Sequence, residues 1–137
     1  MSTRTILTRT GAAPLQFEGT LLAEAHSQQR SGPAENRWFE LAIYQLAGSD
    51  SMVGAIGFRS RWQGEHDHDC ARKLLSPAEA VEFFSGYDPC ATDLWQGYPS
   101  NVGDSGQRNE RQWSAIRNAY LAAVTELLNH ERFAETI

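Results

Sequence analysis

One short segment concentrates side chains that could bind a metal ion: residues 65–70 have the sequence Glu-His-Asp-His-Asp-Cys. Successive side chains of an extended strand point to opposite faces, so His66, His68 and Cys70 would share one face. Imidazole and thiolate groups both suit zinc, and Cys90 would complete a tetrahedral site with two nitrogen and two sulfur ligands. The first hypothesis is therefore a zinc-binding protein.

The same segment has other interpretations. Its acids Glu65, Asp67 and Asp69 would lie on the opposite face, where they could hold a hard cation or form hydrogen bonds with nearby arginines. Cys70 beside a histidine would also suit nucleophilic catalysis. The spacing matches no known zinc pattern such as Cys-x2-Cys with His-x3-His. Metal binding therefore stays one hypothesis among several.

A second group of candidate residues alternates along two predicted neighbouring strands. Trp38, Glu40 and Tyr44 share one parity, and Arg59 and Arg61 share the corresponding parity on the partner strand. If the apolar residues between them face the helices, these side chains stand together on the uncovered face of the sheet. Trp, Tyr and Arg are typical of protein interfaces, and they also stack on the bases of single-stranded nucleic acid. The third interpretation is ordinary cross-strand pairing of Glu40 with an arginine.

A long connection supplies further aromatic candidates. Residues 87–106 show little periodicity and contain five glycine or proline residues. Connections of this length inside a small domain are usually functional or disordered, and the aromatic side chains of Trp95 and Tyr98 argue against disorder. We expect Trp95 and Tyr98 to contact a partner, with a self-packed loop as the alternative.

Charge separates the two halves of the chain. Residues 1–75 carry eight basic and eight acidic side chains, whereas residues 76–137 carry four basic and nine acidic ones, which accounts for the net charge of −5. An acidic chain is a poor general binder of polyanions. Eleven of the twelve basic residues are arginine. Codon bias in a GC-rich genome and the better bidentate pairing and aromatic stacking of arginine both account for that preference. Separately, we expect a bacterial source, including phages and plasmids.

Several function classes are excluded or disfavoured by missing motifs. The only lysine, Lys73, lies outside any Gly-Lys-Ser/Thr sequence, which excludes a P-loop. The Gly-x-Ser-x-Gly elbow of hydrolases and the His-x-Glu of zinc deaminases are also missing. No apolar run follows the first arginines as it does in a signal peptide, so we expect a cytoplasmic protein.

The elements that must position these residues are strands first and helices after. Alternating apolar residues predict four strands, at residues 3–10, 15–25, 37–47 and 52–62. A Gly-Ala-Ala-Pro turn joins the first two strands, and the loop Gly-Ser-Asp-Ser joins the last two. Two hairpins in this order favour a four-stranded antiparallel meander.

The second half of the chain predicts two helices. The sequence Ser-Pro-Ala-Glu at 76–79 combines a capping box with proline at the first helical position, and Gly86 ends this short helix. A long C-terminal helix begins near Ser105 or Gln107, and its apolar residues recur at helical spacing: Trp113, Ile116, Tyr120, Val124, Leu127 and Leu128. The expected fold is one α+β domain over 1–137, with the long helix packed on one sheet face.

These observations favour a small non-enzymatic protein that binds a protein partner. The expected contacts are Trp38, Tyr44, Arg59 and Arg61 on the open sheet face, together with the aromatic loop. A homo-oligomer through the same surface is compatible, because exposed aromatic patches tend to be buried in contacts. The alternatives are a single-stranded nucleic-acid-binding module that uses the same face, which the acidity disfavours, and the zinc protein.

Overall fold

The computed structural model describes residues 2–27, 37–61, 66–89 and 104–135, the first ten residues of the last range as backbone only. The strands are β1 (Thr3–Arg9), β2 (Ala12–His26), β3 (Arg37–Leu46), β4 (Met52–Ser60) and β5 (His68–Leu74). The helices are α1 (Pro77–Ser85) and α2 (Asp104–Leu127), and a 3₁₀ turn follows at Glu131–Phe133. The fold is α+β with an antiparallel sheet, as predicted.

The predicted count of four strands is wrong, because β5 adds a fifth. Each strand pairs with the next one in the chain, in the order β1-β2-β3-β4-β5. The sequence of β5, His-Asp-Cys-Ala-Arg-Lys-Leu, has only three apolar residues and lacks the alternation that indicates a strand. Its pairing with β4 therefore comes from the tertiary context rather than from its own pattern.

The sheet curls until its two edge strands meet. The Thr10 amide donates to the Asp69 carbonyl oxygen at 2.8 Å, and the Asp69 amide donates to Thr10 Oγ1 at 2.8 Å. The long strand β2 makes the curl possible, because its first half pairs with β1 and its second half with β3. A bulge between Leu21 and Ala23 separates the two halves and inserts one extra residue.

The curl gives the sheet two unlike faces. The outer face carries Phe39, Leu41 and Ile43 of β3 with their β4 partners, and all three are buried under the helices. The inner face carries the alternate residues of the same strands, including Glu40 and Ala42. Direct cross-strand partners share a face of the sheet. The register therefore also determines on which face each residue of β4 and β5 lies.

The hydrophobic core lies between the outer face and the two helices. On the helix side its fully buried members recur every three or four positions: Ala80, Phe84, Ile116, Tyr120, Ala123 and Leu127. The centre is aromatic, with the Phe39 ring centroid 5.2 Å from that of Phe58 and 5.1 Å from that of Tyr120. The Tyr120 hydroxyl donates to the Phe84 carbonyl oxygen at 2.6 Å, so its polar atom is satisfied inside the core.

The predicted capping box starts α1. The Glu79 amide donates to Ser76 Oγ at 3.2 Å, and the Glu79 carboxylate accepts from the Leu75 amide at 3.1 Å. Gly86 closes the helix by donating its amide to the Glu82 carbonyl oxygen at 2.8 Å. Among the helices in the described ranges, none is long and apolar enough to cross a membrane.

Candidate binding cavity

A cavity of about 840 Å³ lies on the inner face of the sheet. Residues of β1, including Leu7, line one side of it. Residues of β2, β3, β4 and β5, together with Asp67 just before β5 and Glu126 of α2, line the rest. Pockets that hold small ligands or inserted side chains usually measure roughly 300–1,000 Å³. The curl of the sheet therefore creates a space of a size that proteins use for binding.

Small residues form the floor of this cavity: Ala42, Ala55 and Gly57. Ala42 and Ala55 are direct partners across β3 and β4, and Gly57 is the next inner-face position on β4. A larger side chain at any of these positions would project into the space between β1 and strands β3 and β4. The cavity exists because this row carries almost no side-chain volume.

One wall of the cavity is apolar and aromatic. Leu7 and Tyr44 line it, and the Tyr44 ring packs edge-on against Phe17 of β2 with centroids 5.3 Å apart. Burial raises the pKa of the Tyr44 hydroxyl, and the nearby carboxylate of Glu24 raises it further. Tyr44 therefore stays a neutral phenol that presents both a ring and a hydroxyl to the cavity.

An ion-pair cluster centred on Arg59 forms the opposite wall. Its Nη2 lies 2.8 Å from Asp69 Oδ1, its Nε lies 3.3 Å from Glu40 Oε1, and its Nη1 donates to the Phe58 carbonyl oxygen at 3.1 Å. Burial alone would lower the pKa of Arg59, but the hydrogen bond and charge of Asp69, with Glu40, outweigh it and raise that pKa. Arg59 therefore stays charged, and two carboxylates balance its charge.

Gly57 allows Arg59 to take this position. A Cβ atom at Gly57 would lie 2.8 Å from Nη2 and 3.0 Å from Cζ of Arg59, so the guanidinium lies directly over the glycine. The absence of a side chain therefore lets a planar charged group rest on the backbone of the sheet.

Acidic side chains dominate the charge of the lining. Five carboxylates belong to it, against the single guanidinium of Arg59 and the imidazole of His26; the acids are Glu24, Glu40, Asp67, Asp69 and Glu126. The excess of carboxylates gives the cavity a negative potential, which attracts cations and repels phosphates.

The four predicted sheet-face residues fall into two groups. Tyr44 and Arg59 line the cavity. Trp38, the cross-strand partner of Arg59, is half-buried and donates its Nε1 to Glu40 Oε2 at 3.2 Å. The guanidinium carbon of the exposed Arg61 lies 5.1 Å from the Trp38 ring centroid. Trp38 and Arg61 therefore form a stacked pair beside the ion-pair cluster, and the predicted loop residues Trp95 and Tyr98 lie outside the described residues.

Three of the four candidate metal ligands, His66, His68 and Cys70, lie in the described part of the chain. His66 is exposed and precedes β5, while His68 and Cys70 lie on the outer face, opposite Phe58 and Ile56. No group of three His, Cys, Asp or Glu side chains suited to a metal ion occurs among the described residues. The fourth predicted ligand, Cys90, lies outside them.

Cys70 packs against the hydrophobic core, and Asp69 takes the inner face beside it. Burial raises the pKa of the Cys70 thiol, a hydrogen bond with the Ile56 backbone partly opposes this, and the charge of Asp69 raises it further. A thiol with a raised pKa is a weak nucleophile at neutral pH.

Sequence reasoning missed Glu24 and His26 as members of the cavity. The bulge in β2 is the cause: before it odd-numbered residues such as Phe17 face inward, and after it even-numbered residues do. The sequence does contain a signal for Glu24. An acidic residue between two alanines, Ala23 and Ala25, indicates that the polar face of the strand lies at Glu24 and the small, buried face at the alanines.

Comparison with models of known families, with curated proteins and with solved structures finds no match to this chain.

Proposed function

We propose that this protein is a small non-enzymatic binding module that receives part of a protein partner in its inner-face cavity. The floor of Ala42, Ala55 and Gly57 supports this proposal most directly. Small barrels and curled sheets usually fill their interior with side chains, and a row of small residues leaves it open instead. An open interior lowers stability, so its presence favours a binding role.

The stacked pair beside the cavity favours a protein as the partner. Trp38 and Arg61 are of the residue types that contribute most to protein interfaces, and they adjoin a cavity wall formed by Arg59. A partner that inserts a side chain into the cavity would also cover this pair. A nucleic acid fits less well, because the carboxylates of Glu40 and Asp69 already neutralise Arg59.

The experiment fills the cavity and compares the result with the same substitution elsewhere. A displayed library of random peptides supplies binders, and calorimetry then measures their affinity for three proteins. These are the wild type, Ala55→Leu in the cavity floor, and Ala78→Leu on the exposed side of α1. Circular dichroism confirms that both variants are folded.

We expect Ala55→Leu to weaken binding at least about tenfold, because the added side chain occupies the space that the ligand needs. Ala78→Leu should bind like the wild type. The proposal fails if the selected peptides bind Ala55→Leu as tightly as they bind the wild type. If Ala55→Leu does not fold, Ala42→Leu at the neighbouring floor position provides the same comparison.

A further inference from the structure

We infer that the cavity selects a lysine or arginine side chain of the partner, and that Glu24 is the carboxylate that receives its charge. This inference rests on the proposed function and specifies the chemistry of the ligand. It follows from the position of Glu24, from the surroundings of that carboxylate, and from what the other cavity acids already bind.

The position of Glu24 places a carboxylate at the edge of a hollow. Glu24 is the direct cross-strand partner of Ala42, whose methyl group is part of the cavity floor. Its diagonal neighbours on the inner face of β3 are Glu40 and Tyr44. Diagonal neighbours in an antiparallel pair lie roughly 7–8 Å apart, which leaves room for one positively charged group above Ala42.

The other acids of the cavity lining already have partners. Asp69 and Glu40 both bind the Arg59 guanidinium, and Glu40 also accepts from Trp38. Glu24, in contrast, has neither a hydrogen bond nor an ion pair with any side chain in the described part of the chain. Asp67 accepts from the Ser60 amide at 3.3 Å, so of these four carboxylates Glu24 is the one that can bind an incoming cation without displacing a described partner.

The surfaces around Glu24 suit the aliphatic stem of a basic side chain. Lysine and arginine bury their methylene groups against apolar surface while the charged end finds a counter-charge. Leu7, Ala42 and the Tyr44 ring provide that apolar surface. The face of a tyrosine ring also attracts cations, so Tyr44 serves both parts of the ligand.

The cavity already holds one guanidinium in the same chemical setting. Arg59 lies over Gly57, with carboxylates at its edge and no side chain beneath it. A second basic group above Ala42 would repeat this arrangement in the next row of cross-strand partners. Ala42 would take the place of Gly57 beneath the charge, and Glu24 the place of Asp69 beside it. The excess of carboxylates in the lining accommodates that second positive charge.

The test uses four small probes of one length and different charge: butylammonium, butylguanidinium, butyrate and butanol. Binding is followed by two-dimensional NMR of the amide groups. We expect the two cations to shift the amides of residues around Glu24 and Ala42, while butyrate and butanol leave them unchanged. The matched variants are Glu24→Gln and Glu18→Gln, since Glu18 lies on the same strand but on the outer side, opposite Arg4.

We expect Glu24→Gln to weaken binding of the cations by about five- to tenfold, because a half-solvated charge pair is lost. Glu18→Gln should leave it unchanged. Equal binding of butyrate, or equal weakening by both variants, would overturn the inference. If neutral or anionic ligands bind and Ala55→Leu blocks them, the charge assignment fails while the proposed function stands.

A final arm identifies the source of the cation. Short alanine peptides with a central lysine, arginine or norleucine are compared with the free butyl cations. Tighter binding of the lysine or arginine peptide, with no binding of the norleucine peptide, supports a protein side chain. Tighter binding of the free cations would overturn the assignment to a protein and identify a small amine instead.

Discussion

The two faces of strand β3 divide the molecule into a region built for packing and a region built for binding. On the outer face Phe39 and Ile43 are 0% exposed and Leu41 is 2% exposed, all beneath the helices. On the inner face the residues between them are polar or small, as Glu40 and Ala42 are. One strand therefore contributes stability through one set of alternate residues and a binding site through the other.

The largest expected difference between the faces comes from two neighbouring aromatic residues. Phe39→Ala should lower the free energy of unfolding by about 3–5 kcal/mol, because it leaves a cavity among Phe58, Tyr87 and Tyr120. Trp38→Ala, on the inner face and half-buried, should cost less, about 1–2 kcal/mol, because much of its surface is already in water. Urea denaturation of both variants measures the two values, and equal losses would contradict the division between the faces.

Two glycines of β4 provide a second, smaller comparison. A Cβ atom at Gly54, on the outer face, would lie 2.8 Å from Leu74 Cδ1 and 2.9 Å from Phe83 Cδ2. Gly54→Ala should therefore cost about 1–3 kcal/mol through overpacking. At Gly57 the obstacle is the flexible end of Arg59, which can move toward solvent, so Gly57→Ala should cost about 1 kcal/mol or less.

Thermal unfolding of both glycine variants under the same conditions measures this difference. The cost of Gly57→Ala should also shrink when Asp69→Asn is already present, because both changes remove the same Arg59 ion pair. Additive effects of Gly57→Ala and Asp69→Asn would show that the guanidinium does not need the glycine.

Two tyrosines give the comparison with the smallest expected change in stability, and this change depends on pH. Tyr120→Phe removes the donor to the Phe84 carbonyl oxygen and should cost about 1–2 kcal/mol at neutral pH. Burial, with smaller effects of Tyr87 and Cys70, raises the pKa of Tyr120 well above its ordinary value. Above pH of about 10 the unfolded chain therefore loses this proton while the folded chain keeps it.

Stability of the wild type should consequently fall as the pH rises above about 10, by up to about 1.4 kcal/mol per pH unit from this group. Tyr120→Phe should lack this pH-dependent loss of stability. The difference in free energy of unfolding between Tyr120→Phe and the wild type should therefore narrow in alkaline solution. Tyr44→Phe is the inner-face control, with little effect at neutral pH. Denaturation at several alkaline pH values measures the curves, and parallel curves for the wild type and Tyr120→Phe would contradict the prediction.

The sequence predicts the outer face of this molecule far better than the inner one. Apolar alternation in β3 and the helical spacing of Ile116, Tyr120 and Val124 identify the core, because burial acts directly on residue type. The capping box at Ser76 is likewise local, and the structure contains it. These features depend on residues close together in the chain.

The inner face depends on relations that no local pattern encodes. The bulge near Leu22 reverses the parity of β2, so Glu24 reaches the cavity against the alternation set by Phe17. The β1–β5 contact at Thr10 and Asp69 has no sequence signal either, because it follows from the accumulated twist and coiling of five strands. Pairing between Glu40 and an arginine was foreseeable from parity, but the presence of a cavity beside it was not.

The contact between Thr10 and Asp69 also bears on the order of folding. These residues are 59 positions apart, whereas every other strand pair joins neighbours in the chain. Closing a longer loop costs more entropy, and local hairpins form first for that reason. The hairpins should therefore assemble before the sheet closes on itself, so the binding cavity is the last part of the molecule to acquire its shape.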